Sequence, residues 1–123
     1  MEKSIRRLPD GELEVMQAVW DCPVPAERGD IEKNLQHSMA PTTLLTMLTR
    51  LGEKGFLMIE KTGRRSCYRP LVSRQEYLAA QSKRFVQTLC GGNLSVFANA
   101  LCDSGLSREE IAQLRELLER DAL

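Results

Sequence analysis

Between Pro41 and Gly55 the apolar positions recur at three- and four-residue spacing. Leu44, Met47, Leu48 and Leu51 fall on one stripe of a helix. Pro41 suits the first helical position, where a preset φ helps and the missing amide hydrogen costs nothing. Gly55 suits the stop, because glycine accepts positive φ just past the last turn. The opposite face carries Thr42, Leu45, Thr46, Thr49 and Arg50, with Thr43 beside it. Solvated helix faces favour Glu, Lys and Gln, which lose little rotamer freedom in a helix. Here short hydroxyls, one apolar side chain and one arginine replace them. Such a face lets a backbone come close to another surface. Its hydroxyls can meet base edges and phosphates, and Leu45 can meet a thymine methyl. The pattern fits a DNA recognition helix, and it also fits a core helix whose exposed side is rich in threonine.

The neighbouring patterns give this helix a context. Leu13, Met16, Val19 and Trp20 make an apolar stripe in a helix that opens at Pro9-Asp10-Gly11-Glu12 and stops before Pro23 and Pro25. Trp20 reads as a core anchor. A weaker helix follows from Ala26 to His37, with Ala26, Ile31 and Leu35 as its apolar contacts and Gly29 as a weak point. Residues 36–39 form a turn, in which His37 is a solvated residue and not a metal ligand. After Gly55 the period shortens: residues 56–61 and 66–69 read as two strands joined through Thr62-Gly63-Arg64-Arg65. Arginines at a hairpin tip suit a phosphate backbone or a minor groove. Two helices, a threonine helix and a basic-tipped hairpin, in that order, make a winged helix-turn-helix over residues 1–72. The eight residues before Pro9 carry Lys3, Arg6 and Arg7 without apolar period, and read as a solvated tail or a basic arm.

Residues 73–123 are helical. Ser73 with Glu76 forms a capping-box pattern, and Leu78, Phe85 and Leu89, with Tyr77 and Val86 alongside, run to about Cys90. Gly91-Gly92 breaks that helix, Leu94 to Leu101 makes a short one, and Ser107 with Glu110 opens a last one with Ile111, Leu114, Leu117 and Leu118. Three such helices alone would expose a large apolar area, and areas of that kind mark partner surfaces. The expected partner is a second copy, because twofold homodimers are the commonest assembly. Leu78, Phe85, Leu89, Ile111, Leu114 and Leu118 are the expected dimerisation residues. Folding back onto the winged domain is the alternative. The expected fold is therefore mainly α with a small β-hairpin: a winged helix-turn-helix domain followed by a helical dimerisation domain.

Composition changes this picture little. The 123 residues carry 17 basic and 17 acidic side chains, so no global positive charge drives DNA binding. Residues 40–72, however, hold six basic residues (Arg50, Lys54, Lys61, Arg64, Arg65, Arg69) against Glu53 and Glu60, a local net charge of +4. No apolar run is long enough to span a bilayer and no signal peptide opens the chain, so it reads as cytoplasmic. Cys22, Cys67, Cys90 and Cys102 are widely spaced, without a C-x-x-C pair, and read as reduced packing thiols, with a thiol sensor as the alternative. Catalytic motifs are absent: there is no Ser-His-Asp set, P-loop or H-E-x-x-H, and His37 is the sole histidine. No enzyme, metal or cofactor is expected.

The chain resembles the penicillinase-repressor family of bacterial transcriptional regulators (BlaI/MecI/CopY type) along nearly its whole length. The residues that carry the resemblance are Glu12-Leu13-Glu14-Val15-Met16 with Val19-Trp20, Thr42-Thr43, Thr46-Met47-Leu48-Thr49-Arg50-Leu51, Lys54-Gly55, Tyr68 and the Gly91-Gly92 break. The resemblance implies a homodimer that represses by occupying a dyad-symmetric operator. It implies a DNA-reading surface at Thr42, Thr43, Leu45, Thr46, Thr49 and Arg50, with Arg64 and Arg65 in the wing. Lys54 joins Arg50, Arg64 and Arg65 as an expected phosphate contact. Some relatives have a basic side chain where this chain has Leu45, which favours a thymine methyl there. Copper-responsive relatives end in paired Cys-x-Cys motifs, and this sequence has none. Antibiotic-responsive relatives are inactivated by cleavage after an asparagine, for which Asn99-Ala100 lies in about the right place, although a large apolar residue is expected after the asparagine. The inducing signal stays open, with a sensor or protease as an expected partner. Two other readings remain: a winged-helix module that binds protein, and a thiol- or metal-sensing regulator.

Overall fold

A computed structural model of the chain describes residues 5–121. The element order is α1 (Asp10–Trp20), β1 (Ala26–Glu27), α2 (Arg28–Asn34), α3 (Pro41–Glu53), β2 (Leu57–Thr62), β3 (Arg65–Pro70), α4 (Arg74–Thr88), α5 (Leu94–Asp103) and α6 (Arg108–Asp121). The chain forms two compact units that divide between Gln81 and Ser82.

The first unit is a winged helix-turn-helix. Val15, Met16 and Val19 of α1, Ile31 of α2 and Leu44, Leu48 and Leu51 of α3 are buried in one core with Phe56, Leu57 and Tyr68 of the hairpin region. The period of three and four in α1 and α3 thus places one stripe of each helix inward. Pro41 is the first residue of α3, as expected, and the chain turns out of that helix at Gly55, whose φ is +81°. Gly52 has a second use: a Cβ there would lie 3.0 Å from Cδ1 of Ile59, so its absence lets β2 lie close against α3.

The sheet has a strand that was not expected. β1 pairs antiparallel with β3, Ala26 opposite Tyr68 and Glu27 opposite Cys67, so the strand order is β1-β3-β2. The expected helix from Ala26 to His37 is therefore shorter at both ends. Ala26 and Glu27 answer to the free edge of β3, and Glu27 becomes the cap of α2, its N–H donating to Oδ2 of Asp30. The hairpin loop is also tighter than expected. Thr62 pairs with Arg65, which leaves Gly63-Arg64 as a two-residue turn with φ of +65° at Gly63. Glycine at the first central position is the type II′ pattern, whose twist matches that of the strands.

Met1 to Ser4, and with them Lys3 of the expected basic tail, lie outside the described residues. Residues 5–8 are not a solvated tail throughout: Leu8 is buried, and its N–H donates to the Tyr77 hydroxyl at 2.9 Å. Arg6 and Arg7 are exposed. Tyr77 also explains why the first unit runs past the expected boundary after Val72. Its ring packs 5.8 Å from Trp20 and 5.9 Å from Phe56, centroid to centroid, so the start of α4 belongs to the winged unit. Trp20 is half-buried, and its Nε1–H donates to the Val72 carbonyl at 2.9 Å.

The expected caps of α4 and α6 are present. Ser73 and Glu76 open α4 with reciprocal bonds of 3.0 and 2.9 Å, and Ser107 and Glu110 open α6 in the same way. Gly91 and Gly92 both take positive φ and end α4. Phe85 meets Phe97 edge to face at 5.5 Å, and Cys90 is buried. Leu78, Phe85, Leu89, Leu117 and Leu118 are exposed, while Ile111 and Leu114 are half-buried. Asn99 and Ala100 are exposed residues inside α5.

Candidate nucleic-acid interface

The face of α3 away from the core is open. Thr42, Thr43, Leu45, Thr46, Thr49 and Arg50 are all exposed, Leu45 by 41%. The core side of the same helix explains how that face is held: Leu44, Leu48 and Leu51 are each at most 1% exposed, so the helix cannot roll without opening the core.

The hydroxyls of this face have partners on their own helix. Oγ1 of Thr46 donates to the carbonyl of Thr42, and Oγ1 of Thr49 donates to the carbonyl of Leu45, both at 2.9 Å. This is the i to i−4 bond that a threonine can make mid-helix. Below Leu45, a shallow depression of about 350 Å³ is lined by Leu45, Thr46, Thr49, Arg50 and Glu53. Glu53 was not among the expected residues, although its place four residues after Thr49 puts it on the same side of the helix.

Leu45 also borders a second groove, of about 390 Å³, shared with Glu27, Arg28, Arg64, Arg65, Ser66 and Tyr68. The threonine face and the hairpin tip are therefore walls of one continuous surface. Arg64 occupies the turn and Arg65 the first position of β3, so both wing arginines project from the end of the hairpin. Arg65 lies 3.7 Å from the Glu27 carboxylate, with both side chains well exposed. An exposed pair of this kind is worth about 0–1 kcal/mol and does not hold the arginine against a phosphate. Tyr68 is the buried floor of this region, and burial pushes its phenol above the ordinary value, so it stands there as a neutral hydroxyl.

Lys54 has a partner that the sequence did not announce. Its ammonium lies 2.6 Å from Oε1 of Glu12, and Glu12 is a buried carboxylate, only 3% exposed. A buried charge needs its counter-ion, so Lys54 serves the joint between α1 and the end of α3. Glu27, Arg28 and Tyr68 join the surface through β1 pairing, which two residues without periodicity could not announce.

Among the described residues no group of three or more His, Cys, Asp or Glu side chains could hold a metal ion. No helix among them is long and apolar enough to cross a membrane.

Comparison with known proteins places this geometry. The family described as penicillinase repressor matches residues 8–120. The chain is 35% identical over 120 residues to the penicillinase repressor of Bacillus licheniformis, covering 95% of this chain and 93% of that one. It is 30% identical over 122 residues to the methicillin resistance regulatory protein MecI of Mammaliicoccus sciuri, covering 98% and 99%. Among solved structures it is similar to the solution structure of the Bacillus licheniformis BlaI monomeric form in complex with the blaP half-operator. That likeness has a TM-score of 0.50 and 35% identity, over 62% of this chain and 94% of that one.

Proposed function

The chain belongs to the penicillinase-repressor family, and from that premise we propose that it is a transcriptional repressor that acts as a homodimer on a dyad-symmetric operator in double-stranded DNA. The observation that carries this reading is the open face of α3, with Leu45 as the shared wall between the threonine surface and the arginine-tipped hairpin. In a helix-turn-helix the second helix of the pair enters the major groove. Here that helix is α3, and α2 supports it. Each protomer presents Thr42, Thr43, Leu45, Thr46 and Thr49 to base edges and sets Arg50, Arg64 and Arg65 against phosphates. The exposed apolar residues of α4 to α6, Leu78, Phe85, Leu89 and Leu118 with Ile111 and Leu114, join two copies. The two half-sites then lie about 10 bp apart, or a multiple of it. The protein works in the cytoplasm, by binding alone.

The test is selection of bound duplexes from a random pool, with the mass of the complex measured alongside. The expected result is an inverted repeat bound by two chains. Selected sites without dyad symmetry, or one chain per site, would refute the dimeric reading. Bulk DNA that fails to compete at low salt would point instead to a protein-binding winged module.

A further inference from the structure

The inference deepens the reading of α3 given above and rests on it. Thr46 and Thr49 stand exposed at the centre of the reading face, and each hydroxyl hydrogen is directed at a carbonyl of its own helix, 2.9 Å away. A threonine hydroxyl has one hydrogen to donate. With that hydrogen on the backbone, the side chain offers a groove its methyl group and the lone pairs of its oxygen. Leu45, one residue before Thr46 and bordering the same depression, adds a purely apolar side chain. At Leu45, Thr46 and Thr49 the face therefore has an apolar and hydrogen-bond-accepting character.

That character matches one base pair. On the major-groove edge, thymine alone carries a methyl, and its partner adenine carries an N6 amino donor. A G·C pair offers an amino donor and two acceptors, as an A·T pair does, but it lacks the methyl, so the methyl is what an apolar contact can tell apart. We infer that Thr46 and Thr49 read DNA through their methyl groups and not through hydroxyl donation, and that with Leu45 they select A·T pairs by contact with thymine methyls.

Two substitutions separate the methyl from the hydroxyl. Thr→Val keeps the methyl and removes the hydroxyl, whereas Thr→Ser does the reverse. Valine and serine have helix propensities close to that of threonine, and both positions are exposed, so the fold is retained. The experiment uses the full chain and the operator selected from the random pool, with affinity read by fluorescence anisotropy at one salt concentration. Thr46→Val and Thr49→Val are expected to bind within about twofold of the wild type. Thr46→Ser and Thr49→Ser are expected to lose about fourfold per methyl in each half-site, the equivalent of one buried CH₂ group. Replacing a contacted thymine by deoxyuridine, which lacks the methyl, is expected to weaken the wild type by a similar factor and the matching serine variant hardly at all. Serine variants that bind like the wild type, or valine variants that lose the affinity, overturn the inference while the operator reading stands. A pool that yields no preferred sequence overturns both.

Discussion

The carboxylate of Glu12 and the ammonium of Lys54 meet at 2.6 Å across 42 positions of sequence, and the contact ties the first turn of α1 to the end of α3. Glu12 is buried while the Lys54 side chain keeps 24% exposure, so the lysine is the group that makes the carboxylate tolerable inside. Removing one partner of such a pair costs about 3–5 kcal/mol, and replacing both by apolar groups is close to neutral. Lys54→Met is therefore expected to lower stability by about 3 kcal/mol, and Glu12→Leu combined with Lys54→Met to recover most of it. Urea midpoints at constant m-value measure both. Because the charge of Lys54 faces Glu12, the single variant should leave the salt dependence of DNA binding at the wild-type slope. A flattened slope would return Lys54 to the phosphate contacts.

Arg64 and Arg65 test the wing. Each phosphate contact contributes about 0.9 to the slope of log K against log salt. In a dimer with two wings, Arg64→Ala is expected to reduce the slope by roughly 1.8 and to weaken binding to all sequences alike. Arg65→Ala should do the same, since its exposed contact with Glu27 competes only weakly. Binding isotherms on operator and scrambled duplexes over a salt series give both quantities. An unchanged slope would place the hairpin tip away from DNA.

Leu45 separates affinity from choice. It is 41% exposed and borders both grooves, so shortening it removes little from the core. Leu45→Ala is expected to leave the thermal midpoint within about 2 °C, given a change below about 0.5 kcal/mol for a surface site. It should also relax preference at one base pair per half-site by about 1–3 kcal/mol. Selection from a random pool before and after the substitution shows which position relaxes.

How far the sequence announces this surface differs from residue to residue. The limits of α3 follow from Pro41, Gly55 and the Leu44–Leu48–Leu51 stripe, because all three signals are local. The caps at Ser73 and Ser107 were legible for the same reason. Glu27 was not: two residues of strand have no period, and only the edge of β3 makes them one. Lys54 was legible as a basic residue near the reading helix, but its partner sits in another helix, so its role depended on the packing of α1 against α3. The hydroxyls of Thr46 and Thr49 were visible as groups, while the direction of their hydrogens depends on the helix geometry around them.

Tyr77 shows the same limit and carries its own prediction. Its hydroxyl accepts the buried Leu8 amide at 2.9 Å, and its ring lies between Trp20 and Phe56. Tyr77→Phe keeps the ring and leaves the amide unsatisfied, a loss of about 1–3 kcal/mol. Tyr77→Ala removes the ring as well and should cost about 3–5 kcal/mol. If both variants lose the same amount in urea titrations, the ring contributes nothing and the start of α4 is not part of the winged core.

The thiols give a pH prediction with a definite sign. Burial pushes the Cys22 thiol above its ordinary value of 9.0, helped by Asp30 and Asp21 and opposed by the bond from Asn34. Burial likewise raises the Tyr68 phenol above 10.0. In both cases the folded state holds its proton to higher pH than the unfolded chain does. At alkaline pH the unfolded state therefore carries fewer protons, and stability falls as pH rises. The loss should begin near pH 9 and steepen past pH 10, and Cys22→Ala should remove the earlier part. A thiolate is the nucleophile, so at neutral pH Cys22, buried beside the Ala18 carbonyl, is expected to stay unmodified by iodoacetamide while exposed Cys102 reacts. Peptide mapping after a timed pulse identifies the modified residue. Rapid alkylation of Cys22 in the folded protein at pH 7 would revive the thiol-sensor reading, because a sensing thiol must be ionised and within reach.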